Sequence, residues 1–433
     1  NLVVDNGKLR PDLELISDSL TTDDVRGLVS EVPAGLLGSG TMVVRARDDG
    51  GLEFTGEDFA VDGIGGGGTA SGRLSMTMGP DGYWAFRNTR LDLRDFDLEY
   101  IRSFFDTLPL AGRTTGRFEA DGPKSSLNLG FDVVFRDSLV EGWPASTIDG
   151  SGTVAIGVPG EIVFRDYELR RANIDMGTAR RILPAVDLQG MLTGSGTLNG
   201  PWLQLEFAGD LTHVAIPTHE TRARGTISFD ARDEILGVWS DLAFDSLDLD
   251  GLHTSYPSIT VSGRLAGRAL VSGYVDSLWV DADLEGPAGD FLLKGAFSLL
   301  SHRRGVYGLD LNVTDVDLRE LHATLPNTSL SGRIEGSGIS DSVAGPWAQA
   351  TAALRRSSIE GVPLDSVHLE VGIADSSLLL DTLHVRSEAL NVAGGGDIGI
   401  WESRSGTIEV FTGTDSLGAI EGIVESFLGP IET

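Results

Sequence analysis

Leu183-Pro-Ala-Val-Asp-Leu-Gln-Gly190-Met-Leu-Thr-Gly194-Ser-Gly-Thr-Leu-Asn-Gly200-Pro201-Trp-Leu203-Gln-Leu205-Glu-Phe207 contains the grammar of the whole chain. It opens on a Leu-Pro that closes a short helical pattern. Three glycines follow at offsets of four and six, and then apolar residues fall on alternate positions. The same offsets separate Gly112, Gly116 and Gly122, and again Gly263, Gly267 and Gly273. A fourth copy keeps Gly332 and Gly336 and reaches Gly345 three residues late; Gly122, Gly200 and Gly345 are each followed by Pro. Self-similarity of this kind is the signature of a repeat architecture, in which each unit buries its apolar surface against its neighbours.

Ahead of each glycine series lies an amphipathic stretch that ends in Pro. Asp97 to Pro109, Asp175 to Pro184 and Asp317 to Pro326 are the clearest copies, with looser ones at Thr22 to Pro33 and Asp248 to Pro257. The intervals between these prolines are 76, 75, 73 and 69 residues, and a sixth stretch, Ser416 to Pro430, follows after a longer gap. Val25, Leu28, Val29 and Val32 share one helical face, as do Ile420, Ile423, Val424, Phe427 and Leu428. Asp, Ser or Thr stands where an N-cap belongs and Pro where a helix stops. The pattern predicts short helices near 23–32, 97–108, 175–183, 248–256, 317–325 and 416–428, packed on a sheet or covering its edge because none is stable alone.

Between these stretches the period is two. Leu127, Leu129, Phe131, Val133 and Phe135 alternate with Asn128, Gly130 and Asp132; Leu203, Leu205 and Phe207 alternate with Gln204 and Glu206. Leu278, Val280, Ala282 and Leu284 alternate with Trp279, Asp281 and Asp283; Leu309, Leu311 and Val313 with Asp310 and Asn312; Val367, Leu369 and Val371 with His368 and Glu370. Such strands have one apolar and one wet face. Gly or Asp-Gly turns between them predict an antiparallel meander. The fold expected is mostly β, an elongated repeat-built antiparallel groove over residues 1–433, with approximate repeats 13–90, 91–166, 167–241, 242–308, 309–407 and a partial 408–433. Some twenty rungs at ~4.8 Å give a length on the order of 100 Å. The named apolar residues are the expected lining.

Composition narrows the function. With 64 acidic residues against 33 basic ones, the formal charge is −31, the wrong sign for nucleic acid, whose binding rests on Lys and Arg. Cysteine is absent, which removes disulfides, Cys-ligated zinc and cysteine nucleophiles. No run of about 18 apolar residues is present to span a bilayer as a helix. The chain opens on what reads as a strand already under way and closes on a helix-like stretch, so both ends read as cut from a longer protein.

Leu325-Pro326 through Leu330-Ser-Gly332-Arg-Ile-Glu-Gly336, and Leu183-Pro184 through Gly194, carry a resemblance to the repeats of TamB-like proteins in the AsmA-like superfamily. The resemblance implies a U-shaped β-groove in the periplasm of a Gram-negative bacterium, anchored in the inner membrane through an N-terminal helix outside this sequence. It further implies an outer-membrane partner and a cargo of phospholipid, whose acyl chains lie in the groove.

Other chemistries fit less well. His213, His219, His253, His302, His322, His368 and His384 form no His-Glu-x-x-His, and surface or turn histidines explain them. No cofactor site, metal site or catalytic residue is expected. Gly63-Ile-Gly-Gly-Gly-Gly68 satisfies a dinucleotide-binding spacing, but an alternating segment follows it where that site needs a helix, so a hairpin loop is expected. The many Asp residues fall on turns or polar parities, as solvated faces do. Two non-enzymatic alternatives stay open: a scaffold for outer-membrane protein assembly without lipid cargo, and a secreted β-solenoid or adhesin.

Overall fold

A computed structural model describes residues 2–5, 8–21, 23, 35–63, 66–79, 82–102, 110–157, 161–184, 186–257, 259–300, 303–341, 345–374, 377–388, 390–399 and 405–414. The chain divides into two compact units, Asn1–Val214 and Ala215–Thr433. In the first lie β1 (Leu2–Asp5), β2 (Lys8–Thr21), β3 (Leu36–Ala46), β4 (Leu52–Gly63), β5 (Thr69–Met78), β6 (Trp84–Asp97), β7 (Gly112–Pro123), β8 (Leu127–Asp137), β9 (Ala145–Ile156), β10 (Ile162–Asp175), β11 (Met191–Pro201) and β12 (Glu206–Ile216). The second holds β13 (His219–Asp230), β14 (Gly237–Asp248), β15 (Arg264–Tyr274), β16 (Leu278–Gly286), β17 (Gly289–Leu300), β18 (Arg303–Val316), β19 (Thr328–Asp341), β20 (Gly345–Ile359), β21 (Val362–Ala374), β22 (Ser377–Arg386), β23 (Leu390–Gly399) and β24 (Gly406–Thr414).

Every strand pairs antiparallel with its sequence neighbours, from β1 to β12 in the first unit. The same holds from β13 to β24 in the second. Among the described residues no pair closes either unit into a barrel. The protein is therefore mostly β, an open antiparallel meander as its alternation predicts.

Four short helices are described: α1 (Glu99–Arg102), α2 (Met176–Ile182), α3 (Leu249–Ser255) and α4 (Leu318–Leu321). They fall inside four of the six expected stretches; α2, α3 and α4 are shorter than expected, and residues 103–109 of the first stretch lie outside the described residues. The stretches near 23–32 and 416–428 lie outside the described residues, apart from Asp23. Each helix follows a long strand, respectively β6, β10, β14 and β18. The first glycine of the repeat receives the chain there: Leu98, Met176 and Leu249 donate their N–H groups to the carbonyls of Gly112, Gly190 and Gly263, each at 2.9 Å. In the fourth copy, which keeps Gly332 at that position, the Thr328 hydroxyl accepts from Leu318 N instead, at 2.8 Å. Asp175, Asp248 and Asp317 cap α2, α3 and α4 through Thr178, Gly251 and Arg319 N–H.

The helices pack as small amphipathic pieces should. Met176 and Leu249 are buried, and Leu318 and Leu321 lie against Val313, Val316 and Leu354. Tyr100 of α1 joins a cluster built from Leu36, Val61, Ala70, Leu93 and Phe96. Each helix thus covers apolar sheet surface at the end of the strand that precedes it.

A second repeated device is the β-bulge. Register shifts occur at Phe86/Thr89 and Leu93/Phe96 on β6, at Phe164/Tyr167 on β10, and at Val313/Val316 on β18. Asn88, Asp95, Asp166 and Asp315 sit at these shifts with left-handed φ of 49°, 49°, 45° and 51°. A bulge leaves a backbone N–H without its ladder partner, and the next strand supplies one. Asp121 Oδ1 accepts from Asn88 N (2.8 Å), Thr115 Oγ1 from Asp95 N (3.0 Å), Asn199 Oδ1 from Asp166 N (2.8 Å) and Ser331 Oγ from Asp315 N (3.0 Å). Each acceptor immediately precedes a repeat glycine, respectively Gly122, Gly116, Gly200 and Gly332. At Gly116 the constraint is severe: φ is +140°, and a Cβ would lie 2.1 Å from the Asp132 carbonyl oxygen.

Candidate functional site

The alternation seen in the sequence becomes a continuous surface because directly opposed residues of an antiparallel sheet point to the same face. In the first unit Phe59, Gly72, Leu91, Phe118, Phe131, Gly150 and Leu169 oppose one another in turn from β4 to β10. The Phe118 and Phe131 rings are 5.5 Å apart. One step along, Ala70, Leu93, Gly116, Val133, Ile148 and Ala172 form a parallel row. In the second unit Leu242, Ala269, Ala282, Leu293, Leu311, Ile334, Ala352, Leu369 and Leu383 run from β14 to β22.

The expected lining residues can now be placed. Leu127 is buried, and Leu129, Phe131 and Val133 are half-buried between exposed Asn128, Asp132 and Val134. Leu278 is buried and Val280 half-buried, while Trp279 between them is 46% exposed. Leu311 and Leu369 lie in the row just described. Leu284, Val313 and Val367 share a neighbouring row with Phe291, Gly332 and Leu354 between them. Leu309 and Val371 belong to another, through Gly336 and Ala350. Phe207 is buried on β12, opposite Leu198.

The strand expected at Leu203 and Leu205 is corrected. They precede β12, in the turn from Pro201 to Glu206 that the Gln204 N–H closes on the Pro201 carbonyl at 2.8 Å. Gly200, at φ +94°, and Pro201 end β11 two residues before Leu203, where the alternation starts in the sequence. The apparent period there belongs to a turn followed by a strand. The loop expected at residues 63–68 does join two strands, β4 and β5.

The ion pairs that follow lie on the opposite face; the one carboxylate of β8 on the apolar parity, Asp137 at the strand's end, is fully buried. Arg117 pairs with Asp92 (3.1 Å), Arg268 with Asp241 through two bonds (2.7 and 2.5 Å), Lys294 with Asp281 (3.0 Å) and Arg333 with Asp310 through two (2.8 and 2.9 Å). The hydrogen bonds from Arg268 and Arg333 hold the Asp241 and Asp310 carboxyls below their ordinary range. Three of the four basic partners directly follow repeat glycines (Gly116-Arg117, Gly267-Arg268, Gly332-Arg333), so there one dipeptide serves both the bend and the wet-face ladder.

His219, Asp248 and Asp250 bring three potential metal-ligating atoms within 4.8 Å of one another. Their oxygens are engaged otherwise. Asp248 Oδ1 accepts from Gly251 N and meets His219 Nδ1 (3.1 Å), its Oδ2 accepts from Arg264 Nε (3.1 Å), and Asp250 Oδ2 accepts from Gly263 N (3.0 Å). The group is a helix cap whose carboxylates already accept from Gly251, Arg264 and Gly263. Nothing in the sequence announces that His219 reaches Asp248. The bulge acceptors, by contrast, carry a readable signal in the Thr, Ser, Asn or Asp that precedes a repeat glycine.

No family model, curated protein or solved structure matches the chain. Among the described residues no helix is long and apolar enough to cross a membrane.

Proposed function

We propose that the apolar face of each unit is the floor of a groove that conducts phospholipid acyl chains between the inner and outer membranes of a Gram-negative envelope. The observation that carries this reading is the unbroken series of opposed apolar residues from β14 to β22, half-buried except for the buried Ala282, with the ion pairs named above on the other face. A sealed core would bury these side chains fully. Here Phe131 and Leu311 keep surface that a guest could cover.

The physics suits that cargo. Each acyl CH₂ exposed to water costs ~0.8 kcal/mol, so two sixteen-carbon tails cost on the order of 20 kcal/mol. A row of aliphatic and aromatic side chains replaces bilayer contacts at every rung. Transfer then needs a gradient and no bond chemistry. The inner-membrane anchor, the outer-membrane partner and the periplasmic setting implied by the family resemblance are part of the same proposal.

One charge in the lining tests it. Phe131→Asp or Leu311→Asp places a carboxylate in apolar surroundings, where it costs several kcal/mol without a partner. Val134→Asp puts the same charge on the wet face. Lipid co-purifying with the chain, measured by mass spectrometry of the extract, should fall sharply in the first two variants and stay unchanged in the third. Equal lipid in all three, with circular dichroism unaltered, would refute the conduit and favour a scaffold.

A further inference from the structure

A second surface of the other unit's polar side stands apart from the apolar rows. Strands β21 to β24 carry a cavity of about 520 Å³ lined by Ser366, His368, His384, Arg386, Asn391 and Phe411 among others. Register explains the convergence. Ser366, Arg386 and Asn391 are directly opposed across β21, β22 and β23, and His368, His384, Ala393 and Phe411 across β21 to β24. Opposed side chains stand ~4.5–5.5 Å apart at Cβ, so a guanidinium, two imidazoles, an amide and a hydroxyl face one space. The small Ala393 between His384 and Phe411 gives that space its depth.

The donor set has a definite chemical bias. No carboxylate lines the cavity, in a chain of net charge −31. The Arg386 guanidinium has no ion-pair partner among the described residues, whereas Arg268 and Arg333 on the wet face are each held by an aspartate. Glu370 stands outside the lining, its Oε1 3.2 Å from His368 Nε2 and its Oε2 accepting from the Thr382 hydroxyl at 3.2 Å. Facing a carboxylate, that ring nitrogen must be the donor, which fixes the imidazole's orientation. A planar fork of N–H groups beside amide and hydroxyl donors matches a tetrahedral oxyanion. A bare cation would meet Arg386.

We infer that this cavity binds a phosphate group, free or as the phosphodiester of a lipid headgroup, with Arg386 as its anchor and Phe411, 68% exposed, against the apolar part of a larger ligand. The site lies on the face opposite the lining and does not depend on the conduit reading.

The test uses the full chain labelled with ¹⁵N-histidine and titrated with inorganic phosphate, with glycerol 3-phosphate, with dihexanoyl phosphatidylglycerol, and with chloride as control. Phosphate should shift the His368 and His384 side-chain resonances, assigned from His368→Gln and His384→Gln. Arg386→Gln should weaken binding about tenfold and Arg386→Lys less, since a point charge replaces a fork, while Arg333→Gln should leave it unchanged. Tighter binding of the short-chain lipid, lost in Phe411→Ala, assigns the site to a headgroup; equal binding of all three phosphates assigns it to the free anion. Chloride giving the same shifts, Arg386→Gln without effect, or Zn²⁺ moving both imidazoles while phosphate moves neither, would each overturn the inference.

Discussion

Helices α2 and α3 are two copies of one device, each with seven residues, an aspartate cap and a first N–H held by a repeat glycine. They differ in where the buried charge sits. At α3 the cap itself is buried: Asp248 is 1% exposed and both its oxygens are bonded, to Gly251, His219 and Arg264. At α2 the cap Asp175 is half-buried, and the fully buried carboxylate is Asp137, at the end of β8. Asp137 Oδ1 accepts from Leu139 N at 3.0 Å, but Oδ2 has no hydrogen bond, and Arg181 Nε stands 4.0 Å away. The repeat therefore specifies a capped helix on the sheet without specifying how charge is compensated beneath it.

The largest effect expected from that difference is at Asp248. Asp248→Ala removes a cap, worth about 1 kcal/mol, and strands Arg264 and His219. Because Arg264 is 62% exposed, its stranding costs less than breaking a fully buried pair, and the total should be about 3 kcal/mol. Asp175→Ala should cost only the cap, about 1 kcal/mol. Denaturant unfolding monitored by hydrogen exchange at the Gly251 and Thr178 amides resolves the two. Equal losses would mean that burial of the cap is immaterial.

The glycines sharpen the same contrast. Gly267 has φ +137°, and a Cβ there would lie 2.1 Å from the Asp283 carbonyl oxygen. Gly194, at the same repeat position and without a left-handed φ, would meet the Leu211 Cδ2 atom at 2.9 Å, the end of a side chain that can turn away, and the Asp210 carbonyl oxygen only at 3.2 Å. Gly267→Ala should cost about 2 kcal/mol or more and Gly194→Ala less than about 1 kcal/mol. Thermal midpoints of the two variants would show it.

Acid should also separate the copies. Burial works to raise the Asp248 pKa, but the hydrogen bonds from Gly251, Arg264 and His219 together outweigh it and hold the carboxyl below its ordinary value. A depressed folded-state value contributes stability that is whole above the unfolded value and is lost as pH falls through the folded one. Hydrogen exchange at Gly251 should accelerate with acid in that window, and Asp248→Asn should flatten the dependence. An unchanged slope in Asp248→Asn would assign the acid response to other carboxylates.

Much of this was legible in the sequence because periodicity and turn chemistry are local. Leu127 to Val133 alternate as written, and the Asp before each of α2, α3 and α4 caps it. What escaped was register. Leu203 and Leu205 matched a strand period while occupying a turn, since a period of two cannot say where a strand begins when Gly-Pro precedes it. The pairing of His219 with Asp248, twenty-nine residues apart, depends on how β13 meets β14. The opposition of Ser366, Arg386 and Asn391 likewise depends on two successive hairpin registers, which no single strand announces.

The smallest expected effect is at Asp137 and is the most instructive. A buried carboxylate oxygen without a hydrogen bond has lost hydration without full return, and a guanidinium nitrogen at 4.0 Å returns only part. Asp137→Asn keeps the oxygen that accepts from Leu139 N and replaces the unmet charge by a neutral amide of the same shape. Removing a poorly compensated charge at constant volume can be neutral or stabilising. The variant should lie within about 1 kcal/mol of the parent on the stabilising side, whereas Asp248→Asn, which exchanges charge-assisted bonds for neutral ones, should lose stability. Both are isosteric Asp to Asn changes at fully buried sites beside equivalent helices, so packing cancels and only electrostatic compensation differs. If Asp137→Asn is the more damaging in parallel denaturant titrations, the long contact with Arg181 carries more than its distance suggests, and the two copies handle charge alike after all.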